Sequence, residues 1–118
     1  MHGHTVGWLG EWWVRCWLRL RGFRVVSRNQ RHGGVEIDIV ARRGGALHLV
    51  EVKSRSRVDA WAPLEAVGPR KRARLIRAAR ALLRSPRWRE HVISFDVAEV
   101  WLWPWPRVRY WMDAFRGE

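Results

Sequence analysis

The chain has 118 residues and carries 23 lysines and arginines against 11 aspartates and glutamates, a formal net charge of +12. An apolar content of 47% excludes a disordered chain, and no apolar run approaches the ~20 residues needed to span a bilayer. The lone Cys16 excludes an internal disulfide, so a cytoplasmic protein without a leader segment or membrane partner is expected.

The positive excess points to polyanions, nucleic acid first. GC-rich codon use accounts for much of the choice of arginine over lysine, since only Lys53 and Lys71 are lysines. It does not account for the sign. The length suits one domain over 1–118.

In chain order, residues 6–21 read as a helix capped by Thr5 and ended by Gly22. Val6, Leu9, Trp13, Cys16 and Leu20 make one apolar stripe, with Cys16 a core residue. A second face carries Gly7, Gly10, Glu11, Val14 and Leu18, and its glycines would permit a close approach. A short strand over 23–27 and a polar loop over 28–34 follow. Two alternating runs, 35–41 and 47–53, flank Arg42-Arg43-Gly44-Gly45 and read as a β-hairpin. After a connection over 63–68, Pro69 opens a second helix that runs to about Arg84 and stops at Ser85-Pro86. Its apolar residues are Leu75, Ile76, Ala79, Leu82 and Leu83. Strands over 92–103 and 107–112 complete an α/β layer fold with helices on the sheet faces.

The chemistry lies in the hairpin. With Gly44 and Gly45 as turn residues, Asp38 faces Glu51 and Glu36 faces Lys53. Glu51 and Lys53 also share a face. Opposed like charges repel, and folding alone gives no reason to set Asp38 against Glu51. A divalent cation gives one, because carboxylate oxygens are the ligands Mg²⁺ prefers. A solvated hairpin face, with Lys53 offsetting one charge, is the other reading, and a one-residue slip of register would separate the group.

Asp38, a twelve-residue spacer and Glu51-Val52-Lys53 match the PD-(D/E)XK nuclease signature. The wider pattern resembles the YraN-like family of bacterial proteins. It comprises Gly7, Gly10-Glu11, Gly22-Phe23, Arg28-Asn29, residues 36–40, residues 50–53, Lys71, Ile76, Ala79, Phe95-Asp96 and residues 113–115. That family is similar to archaeal Holliday junction resolvases. Val35, Ser94 and Val14 depart from a usual glycine, arginine and alanine, and none of them is a metal ligand.

The resemblance implies a restriction-endonuclease-like central mixed β-sheet flanked by helices. It also implies a role for each matching residue. Asp38, Glu51 and the Val52 carbonyl would bind Mg²⁺ or Mn²⁺, and Lys53 would stabilise charge at the scissile phosphate. Glu11 would bind a second ion or orient water, unless it pairs with Arg15 on the helix surface. Glu36 is either a fourth acid or a partner for Lys53. Lys71 is either a phosphate contact or an exposed helix lysine, and Asp96 is structural.

Arg70, Arg74, Arg77, Arg80 and Arg84 stripe the second helix as a DNA-backbone surface, or as an ordinary solvated face. Arg28, Arg31, Arg42, Arg43, Arg55 and Arg57 lie at the hairpin ends and could flank the same phosphate track. His2 and His4 are terminal and carry no metal expectation. Trp101, Trp103 and Trp105 suit core or edge packing first, and base stacking or a dimer contact second.

The leading expectation is a metal-dependent endonuclease acting on DNA, including branched, flapped or single-stranded forms. A homodimer is one arrangement suited to cutting both strands of a junction. The alternative is a nucleic-acid-binding module of the same fold without efficient catalysis. An arginine- and tryptophan-rich membrane-surface protein is a weaker third.

Overall fold

A computed structural model describes residues 3–55 and 67–115, with side chains over 7–55 and 67–115. The elements follow the expected order: α1 (Gly3–Leu20), β1 (Arg24–His32), β2 (Val35–Arg43), β3 (Ala46–Arg55), α2 (Pro69–Leu83), β4 (Val92–Trp101) and β5 (Arg107–Phe115). The strands form one sheet in chain order. β3 and β4 pair in parallel, and every other pair is antiparallel. In β3, Leu47 and Leu49 pack with Ala78, Ala79 and Leu82 of α2, while Val50 packs with Val14 and Leu18 of α1. Alternate strand residues point to opposite faces, so each helix covers one face. This α/β arrangement is consistent with the restriction-endonuclease-like fold.

Local chemistry sets the element ends. The N–H of Phe23 donates to the Leu18 carbonyl at 3.0 Å and that of Gly22 to Arg19 at 3.1 Å, a Schellman closure of α1. Phe23 then packs in the same buried cluster as Leu18. α2 begins with Pro69 after Gly68, and Arg84 caps its end. The β1–β2 connection is Gly33-Gly34 with φ of 60° and 79°. Both positive values suit a two-residue hairpin turn and favour glycine.

Three expectations are corrected. Residues 28–32, read as a polar loop, extend β1, which pairs with β2 as far as His32↔Val35. Their side chains are polar because β1 is an edge strand with an exposed face, and ladder bonds do not depend on side-chain polarity. On α1, Thr5 lies inside the helix rather than at its cap, and the side chains of Thr5 and Val6 lie outside the described ones. The expected stripe divides: Leu9 is 40% and Leu20 84% exposed, and Cys16 and Trp13 are half-buried, Trp13 at the edge of the core, whereas Val14 and Leu18 are fully buried. α1 is apolar nearly all round, so periodicity cannot choose a face. Close approach does.

A Cβ on Gly10 would meet Ser54 Oγ at 2.7 Å and Val100 Cγ1 at 3.0 Å, whereas one on Gly7 would meet nothing within 4 Å. Only Gly10 therefore serves the close approach. Gly10→Val is expected to lower stability by about 2 kcal/mol through overpacking, measurable as a lower urea midpoint. Gly7→Ala should not lower it.

Candidate active site

The β2–β3 register follows the Gly44-Gly45 turn from Arg43↔Ala46 to Ile39↔Val50 and stops there. Asp38 and Glu51 stand one step past the last pair, where the strands part. β2 also turns over at this point. Val35 and Ile37 pack on the α2 side, whereas Ile39 and Ala41 pack on the α1 side. The gap is filled by Asp38 itself: its Oδ2 accepts the backbone N–H of Val52 at 2.9 Å. That bond fixes the carboxylate between the strands.

Burial raises the Asp38 carboxyl from 3.8 to about 6, against the lowering effect of the Val52 bond and with added repulsion from Glu11, Glu51 and Glu36. Asp38 is therefore held among like charges. The acid set named from sequence converges on this carboxylate electrostatically.

Glu51 stands two residues from Lys53 on β3, with Lys53 Nζ 3.8 Å from its Oε2. From the other side Lys71, on the first turn of α2, donates to the same Glu51 oxygen. Glu36, Asp38, Glu51, Arg70, Lys71 and Arg74 line one cleft of about 610 Å³ between the sheet and the start of α2. Acids form one wall and cations the other. Lys71 is thus neither free in solvent nor remote from the acids.

Glu11 reaches the group from α1. Its Oε1 accepts from Asn29 Nδ2 at 3.0 Å, rather than from Arg15, the alternative partner on its own helix. Arg15 is buried, and burial first, then repulsion from Arg28 and Arg19, lowers its pKa. Asn29 escaped the sequence reading as a site residue. Its signal was its type: its φ is 50°, and asparagine tolerates that left-handed backbone better than other side chains.

The remaining expected residues divide: Glu36 lines the cleft without facing Lys53, and several of the arginines lie away from it. Glu36 pairs with Arg31 of β1, and the β2–β3 ladder ends before it could face Lys53. Arg31 donates to the Gly34 carbonyl at 3.0 Å, and Arg28 is exposed on β1. Arg42 and Arg43 sit at the turn end of the hairpin, Arg43 being ~17 Å along β2 from Asp38. Arg55 binds Glu99 at 3.0 Å, because a buried acid on the neighbouring strand claims it. Arg77 lies on α2 near Gly33, beyond the cleft lining. Arg57 lies outside the described residues.

Asp96 is structural. It is 2% exposed and accepts from His48 Nδ1, Ser94 Oγ, Tyr110 Oη and the Asp113 N–H. Burial opposes its charge, but these bonds outweigh the burial and hold its pKa below the ordinary value.

The donor set suits Mg²⁺ or Mn²⁺. Among the described residues no group of three or more His, Cys, Asp or Glu side chains forms a ready metal shell. Such a shell would be an all-protein cage. Mg²⁺ needs less: one or two carboxylates, with waters and substrate phosphate completing its shell. The crowded Asp38 beside Glu51 meets that need.

No helix among the described residues is long and apolar enough to cross a membrane.

Comparison with known proteins shows the family. The model of the Uncharacterised protein family UPF0102 matches residues 10–100, which include Glu11, Asp38, Glu51, Lys53 and Lys71. A UPF0102 protein of Parvibaculum lavamentivorans is 47% identical over 100 residues, covering 84% of this chain and 72% of that protein. One from Prosthecochloris aestuarii is 41% identical over 97 residues, covering 82% and 76%. One from Dictyoglomus turgidum is 36% identical over 111 residues, covering 94% of each. The chain belongs to the uncharacterised protein family UPF0102.

Proposed function

We propose that the protein is a metal-dependent DNA endonuclease of PD-(D/E)XK type, with its centre at Asp38, Glu51 and Lys53. The observation that carries this reading is the Asp38 carboxylate. It is fixed by Val52 N–H at 2.9 Å and raised to about 6 among three other acids. Folding gains nothing from such crowding, whereas a cation site needs it.

Asp38 and Glu51 would hold Mg²⁺ or Mn²⁺, with the Val52 carbonyl as a further oxygen. When bound, the metal supplies Lewis-acid polarisation of the phosphate and lowers the pKa of water. The chain's own residues do the rest. Lys53 stabilises charge at the scissile phosphate. Arg70, Lys71 and Arg74 hold flanking phosphates from the opposite wall of the cleft. Glu11, positioned by Asn29, orients water.

One observation favours the second reading, a binding module without turnover: Glu51 already has two lysine partners. Incubation of branched, flapped and single-stranded DNA with Mg²⁺ or Mn²⁺ decides between them. The nuclease reading expects nicks or breaks that the Asp38→Ala, Glu51→Ala double variant does not make. Salt-sensitive binding with no cleavage of any substrate supports the module instead.

The shared lysine makes a further expectation. Because Lys71 competes for Glu51, Lys71→Met should tighten Mn²⁺ binding several-fold. Loss of a phosphate contact should weaken DNA binding at the same time. Calorimetry with Mn²⁺ alone and anisotropy with DNA alone separate the two effects.

A further inference from the structure

The face of the sheet that carries Lys53 does not end there. Lys53 pairs with Glu99 and Arg55 with Trp101 across β3–β4. Across β4–β5, Glu99 pairs with Arg109 and Trp101 with Arg107. Directly paired residues share a face, so these side chains continue the surface of the candidate catalytic lysine toward β5.

Glu99 organises this surface. It is 1% exposed, and its carboxylate accepts from Arg55 Nε at 3.0 Å, Arg109 Nε at 2.7 Å and Trp111 Nε1 at 2.9 Å. One buried acid thus fixes the direction of two guanidinium groups. Arg107 adds a third cation, lying 5.1 Å from the ring of Trp101 and 5.6 Å from that of Trp105. Positive charge outweighs negative in this cluster.

At its end the β4–β5 turn presents Trp103 at 71% and Trp105 at 63% exposure. Pro104 and Pro106 follow the two tryptophans in alternation and restrict the backbone that carries them. Exposed indoles grouped beside oriented arginines mark an interaction surface, as singly scattered apolar residues do not. They match a strand that offers flat bases and a charged backbone together.

We propose that this face is a track for single-stranded nucleic acid, with Trp103 and Trp105 stacking on unpaired bases and Arg107 taking a phosphate. Duplex DNA keeps its base faces occupied, so the track selects unpaired strands such as a flap or a junction arm. This assignment names a substrate for the nuclease reading and rests on it only for that. The binding itself is independent of metal.

The test is fluorescence anisotropy of the full chain in EDTA, at one fixed salt concentration. The labelled probes are a twenty-residue oligothymidylate and an abasic oligonucleotide of the same length. The intact protein is expected to bind the oligothymidylate roughly tenfold or more tightly than the abasic strand. The W103A/W105A variant should bind both at the abasic level. W103F/W105F should retain most of the preference. Both tryptophans are exposed, and an unchanged urea midpoint establishes that the variants are folded.

Equal affinity of the intact protein for the two strands would overturn the proposal. So would a preference that survives in W103A/W105A. A third contrary result is binding to phosphatidylserine-containing vesicles that depends on the two tryptophans while oligonucleotide binding does not. EDTA removes cleavage from the assay, so failure here leaves the nuclease reading standing. Absence of cleavage elsewhere leaves this binding result standing.

Discussion

Asp38→Asn is expected to stabilise the metal-free protein at pH 8 and to lower Mn²⁺-dependent cleavage by about 10²–10³-fold. The two effects share one cause. In the folded chain, burial and then the field of Glu11, Glu51 and Glu36 raise the carboxyl from 3.8 to about 6, although the Val52 N–H bond acts the other way. A folded value above the unfolded one means that ionising the group opposes folding. The cost is absent below about pH 4, grows as pH rises and is complete above about 6. By linkage it amounts to at most about 3 kcal/mol at neutral pH, less where water screens the partly exposed edge. Asparagine keeps an oxygen for Val52 and removes the charge. Urea unfolding in EDTA at pH 5 and pH 8 reads the stability effect. The wild type should lose stability between the two relative to the variant. Mn²⁺ affinity of the wild type should rise through pH 6 and then flatten. A variant that is active, or that is no more stable at pH 8, contradicts the assignment.

Replacing Asp96 should have the largest effect on folding. Its carboxylate, 2% exposed, is the common acceptor for three side chains and one backbone N–H. Asp96→Ala takes this acceptor from the buried His48 and the half-buried Ser94 and Tyr110 and is expected to cost about 3–5 kcal/mol. That is a large part of the 5–15 kcal/mol typical of a domain. The sign with pH is opposite to that of Asp38. Hydrogen bonds overcome burial and depress the Asp96 pKa. Its stabilisation is therefore present above the unfolded value near 4 and is lost as pH falls through the lower folded value. Urea midpoints of wild type and variant at pH 7 and pH 3 provide the measurement. The gap between them should narrow in acid.

Much of the layout was legible because it depends on local rules. The Gly44-Gly45 turn set the hairpin register, and that register runs through Ile39↔Val50 toward Asp38 and Glu51. Pro69 opened α2 through its fixed φ, and Gly22, with φ of 87°, closed α1 because it lacks a Cβ. The inward face of α1 was legible in part: its glycines signalled the close approach that Gly10 makes, but tryptophans and leucines surround the helix, so periodicity did not choose between that face and the Leu9–Leu20 stripe. The length of β1 was hidden by polar side chains on an edge strand. The site was read in part. Glu51 and Lys53 are two residues apart, and strand alternation places them. Lys71 reaches Glu51 from twenty residues away, and Asn29 reaches Glu11 from eighteen. Both contacts depend on how helices dock on the sheet, which no spacing records. Arg55 was assigned to DNA from its place at the hairpin end, and no spacing links it to Glu99 on the neighbouring strand.

The central claim is that Asp38 and Glu51 share one divalent ion. Anomalous diffraction from a crystal grown with Mn²⁺ tests it directly. A manganese peak within coordinating distance of one oxygen from each carboxylate is the result expected, with Lys71 drawn away from Glu51. A fully occupied lattice position elsewhere, with Lys71 still on Glu51 and no peak beside Asp38, would contradict the account.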